Sequence, residues 1–230
     1  MFNTNQSPDP ELISFQTIRR AVGWLGILLP PVLVVGSFLF GNDRVIQPSI
    51  SHYYFTNMRE IFVGVLCAVS LFLFTYKGYS KLDGRASNLA GFFSLGVALF
   101  PTNVIPDFPA QQDVVSFISI SFHNVVHFTC AALFFLTLAF ISLYLFTRSK
   151  HMRREDQTPQ KRTRNVVYKL CGWIMIGSLV TIAFSAFMNV DKTNQVTFWF
   201  ETLALLAFGI SWLTKGEALF GDKQSPIDKP

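Results

Sequence analysis

Two histidines one helical turn apart, His123 and His127 in the stretch SFHNVVHFTCAALFF, stand inside a run of phenylalanine, valine and leucine. On a helix, positions i and i+4 share a face about 6 Å apart, so both imidazoles can direct a ring nitrogen at one point. A metal ion is one occupant of such a point. Zinc takes imidazole nitrogen at about 2.0–2.1 Å, and its catalytic sites use three protein ligands and a water. His52 is the natural third ligand, and a carboxylate such as Glu201, Glu60 or Asp113 would complete the shell or act as base on metal-bound water. Hydrogen bonding between helices is the competing use, because His, Ser, Thr and Asn cross-link neighbours within a bundle. Ser119, Ser121, Asn124 and Thr129 lie close enough in sequence to take part. Two histidines on one face of one helix cannot supply opposite axial ligands to a haem iron.

The elements that must position these groups are apolar. Half of the 230 residues are hydrophobic, 25 are phenylalanine and 14% are charged, which is more apolar content than a soluble domain of this length buries. Charge-poor windows of membrane-crossing length fall at 21–41, 60–76, 87–101, 117–146, 166–188 and 197–214, the third short and the fourth long. They predict an all-α polytopic membrane protein, a bundle of six transmembrane helices. The domain plan is a polar segment 1–20, a transmembrane unit 21–216 with a basic loop at 148–165, and a tail 217–230. The first window is a full span with no A-x-A cleavage site, so it reads as a retained helix and not as a signal peptide. Pro30 and Pro31 predict a bend in that span, whereas Pro101, Pro106 and Pro109 end the third and keep the following loop irregular. Gly91, Gly96, Gly172, Gly177 and Ser178 predict close helix contacts. Cys67, Cys130 and Cys171 all lie in apolar windows, which suggests small core residues and no disulfide framework.

Basic residues fix the orientation, since Lys and Arg gather on the cytoplasmic side. With the N-terminus inside, the inner segments hold Arg19, Arg20, Lys77, Lys81, Arg85, eight residues from Arg148 to Lys169, Lys215, Lys223 and Lys229. The outer segments hold Arg44, Arg59 and Lys192, so the division is 16 against 3 and accounts for all 19. Both termini are therefore expected in the cytoplasm. The net charge of +5 is a topology signal and not a nucleic-acid footprint, because the basic residues flank apolar spans and no recognition motif accompanies them. Membrane lipids are the expected surroundings, and the loop 148–165 can also attract anionic head groups.

This orientation sends His52, His123, His127, Glu60, Asp107, Asp113, Asp191 and Glu201 to the outer face, leaving His151 in the inner loop. Glu201, one turn into the last span, is an ionisable residue in an apolar segment and needs a partner or a cavity. Tyr53, Tyr54, Trp199 and Trp212 fit an interfacial aromatic belt. No Walker, Rossmann or serine-elbow motif is present.

The runs SISHYYFTNMREIFVGVLCAVSLFLF, GFFSLGVALFPT, SFHNVVHF and FETLALLAFGISWLTKG together resemble an uncharacterised bacterial family of polytopic membrane proteins, described only as a domain of unknown function. That resemblance covers nearly the whole chain and implies a fold and a bacterial inner membrane, with no activity attached. The histidine pattern is also similar to that of the CREST superfamily of membrane hydrolases, which includes the alkaline ceramidases and the progestin and adiponectin receptors. This second resemblance implies zinc on three histidines, two of them spaced H-x-x-x-H, beside a serine, with a lipid amide or ester as substrate. Carried onto this chain it makes His123 and His127 the pair, His52 the earlier histidine and Ser51 or Ser49 the serine. The combined expectation is zinc on His52, His123 and His127, with Ser51 and Glu201 catalytic. The alternative is a non-enzymatic membrane protein, structural or transporting, whose histidines hold helices together.

Overall fold

The computed structural model describes residues 10–41, 44–78, 80–105, 108, 111, 122–148, 158–188 and 195–220, with side chains from residue 15 onward. Asp107, Asp113, Ser119, Ser121, His151, Asp191, Pro106, Pro109 and residues 149–157 of the basic loop lie outside the described residues. Among the described residues every regular element is helical: α1 Pro10–Phe40, α2 Arg59–Thr75, α3 Lys81–Leu99, α4 His123–Phe140, α5 Pro159–Phe187 and α6 Val196–Lys215. Phe15–Phe40, His123–Leu145, Pro159–Phe187 and Val196–Lys215 are long and apolar enough to cross a membrane, so the chain is a membrane protein.

Its surface supports that conclusion. Leu39, Phe40, Leu71, Phe92, Trp173 and Phe187 are exposed, while Ser37, Ser70, Ser87, Ser94, Ser142 and Ser211 are buried between helices. Apolar outside and hydroxyl-bearing inside is the arrangement hydrocarbon favours, since lipid offers those hydroxyls no partner.

Local signals set the helix ends. Ser80 accepts a bond from the Asp83 backbone N–H while the Asp83 carboxylate takes the Ser80 N–H, a capping box that starts α3 six residues before its apolar window. Thr158 caps α5 with Pro159 in its first turn. α1 continues through Pro30 and Pro31 without interruption. α4 begins at His123, and its far end widens into a π-helical turn, Ile141–Leu145, where Ser142 Oγ donates to the Tyr168 carbonyl of α5 at 2.8 Å.

Consecutive helices are neighbours, and α6 packs between α5 and α1. α2 and α3 are joined by serines that each donate to a carbonyl across the interface: Ser94 to Leu66, Ser70 to Gly91 and Ser87 to Leu73, at 2.7–3.0 Å. Ser87, Gly91 and Ser94 recur at helical spacing, so one face of α3 is small and polar enough to meet backbone. α1 and α6 meet at Gly23 and Gly209, where a Cβ on either would fall within 3.0 Å of the other's carbonyl oxygen. Gly177, expected at a close contact, faces open space instead. The aromatic belt is also corrected: Trp199 is exposed, but Tyr53, Tyr54 and Trp212 are buried, because Trp212 packs on Tyr76, Phe146 and Phe208 in the core.

Candidate functional site

The segment between α1 and α2 folds over one end of the bundle. Ser49 is extended and caps a 3-10 turn, Ile50–Phe55, its Oγ accepting from the His52 backbone N–H and pairing with His52 Nδ1 at 2.6 Å. At three residues per turn, adjacent side chains diverge by about 120°. Ser51, Tyr53 and Tyr54 are thus buried while His52 is half-buried at the rim. Burial pushes the Tyr53 hydroxyl up to about 12, so it remains a neutral phenol.

Hydrogen bonds from α6 and from the loop after α3 fasten this segment. The Ile50 N–H donates to Glu201 Oε2 at 2.6 Å, and the Phe198 N–H donates to the Pro48 carbonyl at 3.0 Å. Gln195 Nε2 donates to the Ile46 carbonyl, and Gln111 Nε2 to the buried Gln47 amide oxygen. The expected partner of Glu201 is therefore a backbone amide of the turn itself.

On α4 the two histidines reach the chain leaving α3. His127 Nδ1 lies 2.7 Å from the Phe100 carbonyl oxygen, His123 Nδ1 2.8 Å from that of Pro101, and Asn124 Oδ1 accepts from Thr102 Oγ1 at 2.9 Å. Three consecutive residues past the end of α3 are thus held by three residues of the first turn and a half of α4. This answers the spacing of the pair: each imidazole satisfies a carbonyl that the α3 helix can no longer use.

His127 does one thing more. A carbonyl can only accept, so Nδ1 carries the hydrogen, and the neutral ring then presents a lone pair at Nε2. Ser51 Oγ lies 2.9 Å from that nitrogen and donates to it. Ser51 also lines a small cavity of about 40 Å³ between α1, α2, α3, α4 and α6, whose walls include Leu29, Leu66, Val97, Phe134 and Leu205. Ser51 and Glu201 supply the polar side chains of its lining.

Comparison of the chain with protein-family models, curated proteins and solved structures gives no match. What the site does must therefore be argued from its own atoms.

The donor set does not fit the implied zinc. Both ring nitrogens of His127 are in hydrogen bonds, Nδ1 with the Phe100 carbonyl and Nε2 with Ser51, so this ring could ligate only by giving up the serine. Among the described residues no three His, Cys, Asp or Glu side chains are grouped to hold a metal ion. His52 stands next in the chain to Ser51, whose Oγ faces His127 Nε2. Glu60 is exposed at the start of α2. Sequence reasoning named Ser51, His127 and Glu201 but missed Phe100 and Pro101, whose contribution is backbone carbonyl and leaves no trace in residue type.

Proposed function

We propose that this chain crosses the membrane six times with both termini in the cytoplasm, the cell membrane of a bacterium by resemblance, and that Ser51 and His127 hydrolyse an ester or amide bond of a lipid-like substrate. The observation that carries the reading is the Ser51 Oγ to His127 Nε2 bond of 2.9 Å, behind a serine that opens onto an apolar pocket. A hydroxyl is a weak nucleophile until a base takes its proton. Here the base has its tautomer fixed by the Phe100 carbonyl, the part a carboxylate plays in the familiar triads.

In this mechanism Ser51 Oγ attacks the substrate carbonyl carbon as its proton passes to His127 Nε2. The tetrahedral adduct collapses as His127 returns that proton to the leaving alcohol or amine, giving an acyl-serine. Water, deprotonated by His127, then attacks the acyl carbon, and Ser51 leaves with the proton. Glu201 is a positioning residue, its carboxylate holding the Ile50 N–H and with it the turn that carries Ser51. The apolar walls suit the apolar flank of a lipid-like substrate, and the division of basic residues favours the outer face for the turn.

The test is labelling by a lipid-tailed fluorophosphonate, which reports a histidine-activated serine. Wild-type protein in detergent should form a covalent adduct at Ser51, and Ser51→Ala and His127→Gln should not. Unlabelled wild-type protein that is fully folded would defeat the reading.

A second reading has its own support. His123, His127 and Asn124 together clamp residues 100–102, which is what a purely structural role requires. Under it, no serine probe reacts, and both histidine substitutions lower stability by similar amounts.

A further inference from the structure

The cavity beside Ser51 is covered by the turn Ile50–Phe55, and Phe134 of α4 meets Phe208 of α6 beneath it with ring centroids 6.3 Å apart. Its walls are not equally enclosed. Leu29, Phe62, Leu66, Val97, Phe134 and Leu205 are buried. Among the described lining residues, Ala131 of α4 and Glu201 of α6 are the two that are not. The cavity therefore has its mouth on the side, between α4 and α6. α5 stands between these helices in sequence but meets α4 toward the other end of the bundle. There a Cβ on Gly172 would press on Leu143, and Ser142 Oγ reaches the Tyr168 carbonyl. No described residue of α5 lines the cavity.

Depth and size say what such a mouth admits. α4 starts at His123 and α6 at Val196. At 1.5 Å per residue, Ala131 and Glu201 lie roughly 12 Å and 8 Å below those helix ends. One leaflet contributes about 15 Å of hydrocarbon, so the mouth opens into the acyl layer nearer the Ser51 turn. Phe128, one turn outward from Ala131, is exposed to the same layer. The space inside, about 40 Å³, holds about three water molecules. A carbonyl group and its nearest carbons fit there, but a long acyl chain does not. A chain bonded to that carbonyl must leave through the mouth.

We propose that the substrate is a membrane lipid that enters sideways between α4 and α6, its reacting carbonyl at Ser51 and its acyl chain left in the leaflet against Phe128, Ala131 and Phe135. This route rests on the reading of Ser51 as the reacting group and adds where the substrate comes from. The occupant is a hydrocarbon chain because the mouth lies below the head groups and its sides are apolar, while the Glu201 carboxylate is turned to the Ile50 N–H. Ala131 sets the width, since a methyl group is the smallest side chain of the described lining.

Full-length Ser51→Ala protein, which binds without turnover, is placed in phosphatidylcholine nanodiscs with a trace of phosphatidylcholine carrying a diazirine in its acyl chain beside the ester. Irradiation and peptide mass spectrometry then map the adducts. Those on residues 127–135 of α4 and 198–205 of α6 should exceed those on the exposed α5 residues Trp173, Val180 and Phe184 roughly fivefold, a preference of about 1 kcal/mol. Ala131→Phe, added to fill the mouth, should abolish that excess and leave the α5 adducts unchanged, which also reports an intact bundle. Should Ala131→Phe fail to fold, Ala131→Leu decides by the same comparison. Adducts spread evenly over the exposed faces overturn the proposal, as does an excess that survives in the filled mouth. Fluorophosphonate labelling of the chain with Ser51 restored is scored separately. An excess at the mouth with Ser51 unlabelled keeps the lipid site and defeats hydrolysis alone, whereas labelled Ser51 without the excess defeats the sideways route alone.

Discussion

His127 Nε2 and Ser51 Oγ, 76 residues apart in sequence, meet at 2.9 Å inside the bundle, and the Phe100 carbonyl holds the other side of the same imidazole. One side chain thus joins three segments: the turn before α2, the end of α3 and the start of α4. Replacing it separates two effects. His127→Gln keeps an amide that can donate to Phe100 but is no base, so labelling or hydrolysis at Ser51 should fall by about 10²–10⁴-fold while the chain stays folded. His127→Ala also leaves buried polar groups unpaired and should lose about 1–3 kcal/mol of stability as well. Parallel measurement of adduct formation and thermal unfolding on both variants checks the separation.

His123 provides the contrast. It reaches the Pro101 carbonyl and is half-buried. His123→Ala should cost roughly 0.6–1.5 kcal/mol, the range of a single interhelical hydrogen bond, and leave Ser51 labelling within about threefold, well short of the loss expected when a general base is removed. Equal loss of labelling in the His123 and His127 variants would show that the pair works as one unit, as a shared metal requires. Elemental analysis of the purified protein then decides: a content far below one zinc per chain agrees with the donor set, and near one per chain means the imidazoles rearrange around the ion.

Much of this site was legible in the sequence, for identifiable reasons. Ionisable and hydroxyl residues are conspicuous against an apolar background, so Ser51, His127 and Glu201 could be singled out by type. Their partners could not. Phe100, Pro101 and Ile50 contribute backbone atoms, and the tautomer of His127 follows from one of them. The fold shows the same division. Apolar windows announced the long helices, but α3 is held by small residues and serines, so its window was short and its start lay in a capping box. Trp212 reads as an interfacial residue by type and is a core residue by position, because its neighbours are Tyr76 just past α2, Phe146 just past the π-helical turn that follows α4, and Phe208 of α6 itself.

Glu201 is a positioning group by its bond to the Ile50 N–H, and that assignment predicts an order among substitutions. Gln keeps an acceptor at the same reach, whereas Ala removes it. Glu201→Gln should therefore retain most of the Ser51 reactivity, and Glu201→Ala should lose about tenfold or more, matching a misplacement of the nucleophile. Adduct-formation rates measured on both variants test the order. A Gln variant as dead as the Ala variant would make the negative charge itself part of the chemistry.

The α1–α6 contact can be probed apart from the site. A methyl group on Gly209 would stand 2.6 Å from the Gly23 carbonyl oxygen, an atom of helix backbone that cannot swing aside. Gly209→Ala should cost about 1–3 kcal/mol, as overpacking does. Gly177→Ala, into open space on α5, should be neutral or slightly stabilising. Thermal unfolding of the two variants in the same detergent compares one methyl group in two settings.

The orientation on which the outward-facing pocket rests turns on α2. Its 17 residues span only about 26 Å at 1.5 Å per residue, against roughly 30 Å of hydrocarbon. A crossing here therefore requires local thinning of the bilayer or help from the residues at its ends. Asn57 and Lys77 are exposed just beyond the two ends. In a chain with its three native cysteines replaced, Asn57→Cys should react with a membrane-impermeant maleimide from outside intact cells, and Lys77→Cys only after lysis. Reaction of both from the same side would make α2 and α3 a re-entrant hairpin. The division of 16 basic residues against 3 would then no longer separate two compartments, and the Ser51 turn would lose its assigned face.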